Sequence, residues 1–303
     1  MVALVALAVA LIPHALAISV PAKRQSITPL STAQIDAFTP YSNFAAAAYC
    51  TAAQTADWDC GPLCDANSGF VVQASGGDGD GTQFWYVGYD PSLKQVIVAH
   101  QGTDPDQIMS DLTDANIIRG KLDSTLFPGI SSSITVHEGF RNEQAKTASS
   151  VLAAVKASMS AHATSSVTIV GHSLGAAISL LDSVYLSLNL GSSVTIKFIG
   201  YGLPRVGNQD FADYLDANID VTHINNKEDL VPILPGMFLG YHHPSGEIHI
   251  LDSGAWDSCP GQDNESDSCT TGDVPSIFQG DEDDHDGPYN GVSMGTIAAD
   301  MCT

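Results

Sequence analysis

The sequence is poor in basic residues. Only 11 of its 303 residues are lysine or arginine, against 34 aspartates and glutamates, and the formal net charge is -23 at pH 7. Such a charge repels nucleic-acid phosphates and anionic membrane surfaces. The composition therefore argues against a nucleic-acid partner and favours a soluble protein.

Apolar runs long enough to span a membrane are also missing. Residues 1–17 are largely apolar and end in Ala15-Leu16-Ala17, a small-x-small pattern that signal peptidase cleaves. The run is too short for a spanning helix. A buried helix is an alternative, because the usual preceding basic residues are absent, but we predict a signal peptide over 1–17. Lys23-Arg24 makes 18–24 a candidate short pro-segment, and we expect a secreted protein without stable membrane insertion.

Cysteine is scarce but even in number. The six residues are Cys50, Cys60, Cys64, Cys259, Cys269 and Cys302. In an exported chain, three disulfides are the default expectation, with fifteen connectivities open. A metal site is the alternative, since Cys60 and Cys64 are close. No second close pair with suitable histidine spacing accompanies them, so we predict no metal.

Apolar strands alternate with helices along most of the chain. The predicted strands are Gly69–Ala74, Gln83–Tyr89, Gln95–His100, Ser166–Val170, Val194–Tyr201 and Val221–Asn225, and the predicted helices are Thr32–Ala53, Arg141–Ser160, Leu174–Leu190 and Gln209–Ala217. This alternation predicts an α/β fold with a mostly parallel sheet covered by helices on both faces. We expect a single domain over residues 25–303. Residues 101–135 are irregular and polar, a candidate lid or binding loop, and the acidic stretch from Asp252 onward is predicted to be loop.

One segment has the pattern of a serine nucleophile. Gly171-His172-Ser173-Leu174-Gly175 follows an apolar strand and opens an alanine-rich helix. A serine nucleophile needs exposure at a sharp turn, an adjacent base and an oxyanion site. The two glycines allow the close strand–helix packing that such a turn requires. An ordinary tight turn is the alternative, but the flanking strand and helix favour Ser173 as a nucleophile for acyl transfer.

Attack on a carbonyl creates an oxyanion, which backbone N–H groups can stabilise. The N–H of Leu174 lies at the predicted helix N-terminus, where negative charge is favoured. Gly102-Thr103 follows the strand ending at His100, and the N–H of Thr103 is the second candidate donor. A plain strand-ending turn is the alternative reading of that segment.

The carboxylate and the base of such a site follow the serine in the chain. Asp229, just past a predicted strand, is the natural carboxylate, and Glu228 competes by proximity. Four downstream histidines are candidates for the base: His242, His243, His249 and His285. His249 falls in an alternating, strand-like run, whereas His285 lies on a late loop able to reach back. Spacing alone favours His285 only modestly.

Four blocks together resemble the fungal class 3 lipases, and they occur in family order. They are Val136-His137-Glu138-Gly139-Phe140, Gly171-His172-Ser173-Leu174-Gly175-Ala176-Ala177, Gly202-Leu203-Pro204-Arg205-Val206-Gly207-Asn208 and Asp229-Leu230-Val231-Pro232. The resemblance implies an α/β-hydrolase fold and a secreted triacylglycerol lipase that needs no cofactor.

The resemblance also implies roles for single residues. It assigns Ser173 as nucleophile, Asp229 as the carboxylate that orients the base, and His285 as the base, with Thr103 and Leu174 as oxyanion donors. The neighbourhood of His243 matches a non-catalytic family segment. The family's disulfide connectivity implies Cys50–Cys302, Cys60–Cys64 and Cys259–Cys269.

The substrate is less closely defined than the chemistry. The stretch that matches the family's lid, residues 104–111, has few bulky apolar side chains, which argues against interfacial activation. Class 3 relatives include feruloyl esterases and phospholipases, which are therefore the alternative enzymes. An inactive secreted binding protein on the same scaffold is the alternative from another class. We expect a monomer that acts on an ester or lipid at an oil–water interface, and Asn264-Glu265-Ser266 is a sequon that predicts N-glycosylation at Asn264.

Overall fold

A computed structural model describes residues 26–113 and 117–303, so the predicted signal peptide and pro-segment lie outside the described residues. The strands are β1 Thr28–Pro29, β2 Val71–Gly76, β3 Trp85–Asp90, β4 Gln95–His100, β5 Arg119–Lys121, β6 Thr135–His137, β7 Ser166–His172, β8 Thr195–Tyr201, β9 Asp220–Asn226, β10 Glu247–Ile250 and β11 Trp256–Cys259. The helices are α1 Thr32–Asp36, α2 Thr39–Ala47, α3 Ala52–Asp57, α4 Pro62–Asp65, α5 Pro105–Thr113, α6 Glu138–His162, α7 Leu174–Leu190, α8 Gln209–Asn218, α9 Thr270–Asp273 and α10 Gly295–Asp300. Short 3-10 turns cover Val231–Ile233 and Met237–Leu239.

The described part of the chain forms one nine-stranded sheet and a separate β5–β6 pair. The sheet order is β1-β11-β10-β9-β8-β7-β4-β3-β2. The five central strands, β4, β7, β8, β9 and β10, are parallel, and the strands at both edges are antiparallel. Parallel strands end at the same edge of a sheet, and ligands of open α/β sheets bind at that edge. The carboxyl ends of β4, β7 and β9 therefore bring their following loops together.

Alternation along the strands divides the core into two layers. On β4, Val96 and Val98 join one apolar cluster, with α6 and α7, whereas Ile97 and Ala99 join the other, with α2 and α10. Successive side chains of a strand point to opposite faces, so a strand buried on both faces has the continuous apolar run seen here. The predicted mostly parallel sheet with helices on both faces is confirmed.

The prediction that residues 101–135 are irregular was wrong where they form helix α5 and strand β5. Ile108 and Leu112, one turn apart, are fully buried against the main core. Two apolar contacts at this spacing anchor a helix in tertiary context, although the segment has too few apolar residues to predict one. The predicted long helix from Thr32 is instead three short ones, because Pro40 lies in the first turn of α2 and Thr51 caps α3.

The C-terminal stretch, predicted as loop, contains β11, α9 and α10. Two disulfides hold it, Cys50–Cys302 and Cys259–Cys269, and a third joins Cys60 to Cys64 outside this stretch. The first of these connects the end of α2 to the end of α10 across 252 residues of sequence. Among the helices of residues 26–113 and 117–303, none is both long and apolar enough to cross a membrane.

Candidate active site

Ser173 stands at a sharp turn between β7 and α7. Its backbone has φ 59° and ψ -128°, a left-handed conformation that a non-glycine residue adopts only under local constraint. A β-carbon on Gly171 would collide with the backbone of Gly175, and one on Gly175 would collide with the backbone of His100. Both glycines are therefore needed for the strand, the helix and the end of β4 to approach so closely.

His285 and Asp229 form a fully buried pair. The Nδ1 atom of His285 lies 2.9 Å from Oδ2 of Asp229, and the other carboxylate oxygen accepts a hydrogen bond from the N–H of Val231 at 2.9 Å. A carboxylate accepts the Nδ1 hydrogen, so the Nε2 atom of the neutral ring keeps its lone pair. The ring also packs over Gly202, where a β-carbon would lie 2.8 Å from Cε1 of His285. His285 therefore lies at the carboxyl edge of the sheet, against Gly202, the residue that follows β8.

Hydrogen bonds hold the late loop of His285 against the loop of Asp229. The N–H of Asp281 donates to the carbonyl of Glu228 at 2.7 Å, and Lys227 forms an ion pair with Asp284 at 2.8 Å. The hydrogen bond from Lys227 Nζ to the Asp284 carboxylate, and then the charge of Asp284, raise the pKa of Lys227. The carbonyl of Glu228 thus supports the loop, while the carboxylate beside His285 belongs to Asp229.

The other candidate histidines have partners elsewhere. His242 bonds to Asp263, His243 bonds to the carbonyl of Pro232, and His249 bonds to the carbonyls of Lys227 and Ser268. Of the four downstream histidines, His285 is the one whose ring contacts Asp229. The contact with Asp229 thus selects His285 among the four histidines, which their spacing in the sequence did not decide.

The loop after β4 lies beside the serine. A β-carbon on Gly102 would lie 3.2 Å from the Cβ of Ser173, and Thr103 follows directly. The Thr103 hydroxyl donates to Gln107 of α5 at 2.9 Å. Leu174 is the first residue of α7, so its N–H is among those that the helix leaves unpaired. The two oxyanion candidates therefore lie just past the carboxyl ends of the adjacent parallel strands β4 and β7, at the edge where Ser173 lies.

The reacting atoms are covered. Ser173 and His285 are fully buried, and within the described residues neither Oγ of Ser173 nor Nε2 of His285 has a hydrogen-bond partner. Buried polar atoms are nearly always paired, so two unpaired ones at one place indicate a functional site. They are the two atoms between which a nucleophile would pass its proton to a base.

A cavity of about 880 Å³ lies between α5 and the loop that follows Asp229. Its lining is mainly apolar and includes Leu112, Ile233, Leu234, Phe238, Val274 and Ile277. Phe238 of the lining and Phe278, which directly follows the lining residue Ile277, are 89 % and 92 % exposed. Nothing in the spacing of these residues predicts the cavity, because it forms between segments that meet only in the fold.

A group with metal-ligand spacing and the predicted glycosylation site each have a clear structural setting. Glu247, Cys259 and Cys269 are the group of described residues with metal-ligand spacing, but their two sulfur atoms are joined in a disulfide. Asn264 is half-buried, and its amide donates to the carbonyl of Pro260 at 2.8 Å. His172 and Tyr289 contact His285, and Tyr49 contacts His172; the sequence assigned a role to none of the three.

A strand–serine–helix turn at the carboxyl edge of a mostly parallel sheet defines the α/β-hydrolase class. The family model described as lipase (class 3) matches residues 97–239. A secreted mono- and diacylglycerol lipase of Malassezia globosa is 34 % identical over 232 residues, which are 72 % of this chain and 74 % of that protein. A secreted mono- and diacylglycerol lipase of Gibberella zeae is 36 % identical over 228 residues, 73 % of this chain and 71 % of that one.

Solved structures agree in fold. A triacylglycerol lipase described as having a serine protease triad superposes with a TM-score of 0.76 at 25 % identity, covering 92 % of this chain and 100 % of that one. Lipase II of Rhizopus niveus has a TM-score of 0.74 at 26 % identity, covering 89 % and 99 %. The chain belongs to the class 3 lipase family and is a carboxylic ester hydrolase, as the sequence predicted.

Proposed function

We propose that this protein is a secreted lipase that hydrolyses acylglycerols through Ser173, His285 and Asp229. The observation that carries the assignment is the buried His285–Asp229 hydrogen bond of 2.9 Å, at the edge of the sheet where Ser173 occupies its strained turn. The names of the relatives, several of them secreted lipases, support both the activity and the predicted secretion.

The mechanism begins with attack of the Ser173 hydroxyl on the ester carbonyl. Nε2 of His285 takes the hydroxyl proton, while Asp229 keeps the ring in the Nδ1–H tautomer and stabilises the imidazolium that forms. The N–H groups of Thr103 and Leu174 hold the oxyanion. His285 then protonates the departing alcohol, and water attacks the acyl-enzyme by reverse use of the same groups.

The cavity beside α5 supports a lipid ester as substrate. At about 880 Å³ it is in the size range of small-molecule sites, and an apolar lining binds acyl chains by removing them from water. Ser173 and His285 are fully buried, so substrate entry requires the residues that cover them to move.

A substrate panel tests the assignment. We expect hydrolysis of emulsified tri-, di- and monoacylglycerol and of short soluble esters, and little hydrolysis of methyl ferulate, because the cavity lining offers acyl chains an apolar wall. Di- and monoacylglycerol are included because the relatives' names specify them. Activity confined to methyl ferulate or to phospholipid would contradict the acylglycerol assignment and favour the alternative esterases.

The exposed phenylalanines at the cavity give a second prediction. A Phe238→Ser, Phe278→Ser double variant should hydrolyse emulsified acylglycerol roughly 10-fold more slowly, because two large apolar side chains no longer enter the lipid phase. Its rate on a soluble short ester should change less than about 2-fold, since no adsorption step is needed there.

The matched control removes two exposed apolar side chains elsewhere on the molecule. Val71→Ser, Ile297→Ser changes residues that are 48 % and 50 % exposed and that lie on β2 and α10. Both rates should remain near those of the unmodified protein. An equal fall on both substrates in the phenylalanine variant would mean that these residues support the site itself rather than contact with lipid.

Three finer expectations accompany the proposal. We expect a monomer, which sedimentation would test. N-glycosylation at Asn264 would give a mass loss on enzymatic deglycosylation that Asn264→Gln abolishes, and an unmodified mass would rule it out. N-terminal sequencing of the secreted protein would test cleavage after Ala17 or Arg24.

A further inference from the structure

His172 has no part in the proposed chemistry, yet its ring lies against the ring of the base. The side chain is fully buried, and the ring centroids of His172 and His285 are 4.4 Å apart, with the planes inclined by 35°. Because His172 directly precedes Ser173, one residue links the end of β7 to the loop of the base. Its two ring nitrogens have different partners, which determines where its hydrogen resides.

The hydrogen of His172 is on Nε2. This atom lies 2.9 Å from the backbone carbonyl oxygen of His285, and a carbonyl oxygen can only accept. Nδ1 lies 2.7 Å from the hydroxyl oxygen of Tyr49. Burial, and after it the charge of His285, lower the pKa of His172 well below its usual range, so the ring is neutral. Nδ1 therefore accepts from the Tyr49 hydroxyl, and Nε2–H donates to His285.

Tyr49 is held so that it can make this bond. Its hydroxyl is buried, and burial followed by the charge of Asp286 raises the pKa of Tyr49 well above its usual value, although backbone hydrogen bonds from Gly102 and Gly295 act in the opposite direction. The phenol thus keeps its hydrogen for His172. Since Gly102 belongs to the oxyanion loop, Tyr49 connects that loop to His172. Cys50, the next residue, fixes the position through its disulfide to Cys302.

The carbonyl of His285 has a second donor, the hydroxyl of Tyr289, at 3.0 Å. This double support matters because residues 282–288 contain neither helix nor strand, so no regular backbone ladder holds the base. Catalytic side chains need support from neighbouring hydrogen bonds to stay within a fraction of an ångström of their working geometry. A neutral neighbour also adds no positive charge beside the imidazolium that forms on His285.

We propose that His172 is a positioning residue for the base: its Nε2–H holds the main chain of His285, and the Tyr49 hydroxyl holds His172 in the tautomer that can donate. The inference rests on the proposed function, because it takes His285 to be the base.

Two amide substitutions of His172 test separately its hydrogen bond to the His285 carbonyl and its hydrogen bond to the Tyr49 hydroxyl. The side-chain nitrogen of glutamine lies as many bonds from Cβ as Nε2 of histidine does, so His172→Gln can still donate to the carbonyl of His285. The polar atoms of asparagine correspond in reach to Nδ1, so His172→Asn can still bond to Tyr49 but cannot reach His285. Both variants lack the ring, and each is the matched control of the other.

On a soluble short ester, we expect the kcat of His172→Gln to stay within about 3-fold of that of the unmodified enzyme. The kcat of His172→Asn should fall about 30-fold. KM should be unchanged in both, because a small displacement of the base slows the chemical step without weakening binding. Thermal unfolding should show both variants folded. Equal kcat values in the two variants, or a greater loss in the glutamine variant, would overturn the proposal.

A milder variant tests the proposal if neither His172→Gln nor His172→Asn folds. Tyr49→Phe removes one oxygen atom and is expected to lower kcat about 10-fold at unchanged KM. An unchanged kcat in this variant overturns the proposal. Ser173→Ala distinguishes failure of the proposed function from failure of the His172 proposal. If Ser173→Ala stays active, the proposed function itself is wrong. If Ser173→Ala is inactive but His172→Gln and His172→Asn have the same kcat, only the role of His172 is overturned.

Discussion

Ser173→Ala should lower ester hydrolysis by about 10⁶-fold and abolish labelling by a fluorophosphonate probe, because the acyl-enzyme can no longer form. The expectation follows from the unpaired, buried Oγ of Ser173 at the turn before α7. Hydrolysis of a soluble ester and probe labelling, measured on the purified secreted protein, check it directly.

A buried serine within α7 provides the control. The hydroxyl of Ser183 donates to the carbonyl of Leu180 at 2.6 Å, within α7. Ser183→Ala should therefore keep both labelling and hydrolysis. Labelling that persists in Ser173→Ala would point to a different nucleophile, and absence of labelling in the unmodified protein would favour the inactive binding protein.

Asp229→Asn should lower kcat by about 10⁴-fold while leaving the fold intact. The amide is nearly isosteric with the carboxylate, and its oxygen can still accept from the N–H of Val231. If its nitrogen faces His285, however, it donates to Nδ1 and forces the hydrogen onto Nε2, where the lone pair of a base is needed. The kinetic constants on a soluble ester, together with thermal unfolding, separate this effect from misfolding.

The neighbouring carboxylate is the matched control. Glu228 precedes Asp229 and is half-buried, and its backbone carbonyl accepts the hydrogen bond from Asp281. Glu228→Gln removes a charge from the same loop but leaves this backbone contact, so kcat should remain within about 3-fold. If the effects of the two substitutions were reversed, Glu228 would be the carboxylate that orients the base.

Helices and strands were predictable from the sequence where the interactions that stabilise them lie within the same segment of chain. The bounds of β4 and α7 agree with the sequence, because a continuous apolar run flanked by turn residues and a long run of helix-forming residues need no distant partner to be recognised. The nucleophile was predictable for the same reason, since Gly171, Ser173 and Gly175 act within one turn of chain.

Elements stabilised mainly by distant contacts were not predictable. Helix α5 is anchored by Ile108 and Leu112 against a core contributed by other segments. The choice among four histidines depends on a hydrogen bond between residues separated by 56 positions, and the Tyr49–His172 bond joins residues separated by 123. Tyr49 carries no motif that could have indicated its role.

The sequence by itself determined the strand–turn–helix around Ser173, the α/β alternation and the family, because these are recorded in short-range patterns of glycine, serine and apolar residues. Residue spacing left the carboxylate and the histidine open, and the family resemblance assigned them to Asp229 and His285; the tertiary structure supplied their contact, the position of α5 and of the acyl-sized cavity, and the side on which the His172 ring is protonated. Each of these depends on distances between atoms far apart in the chain, and such distances exist only after the carboxyl ends of the parallel strands have been brought to one edge.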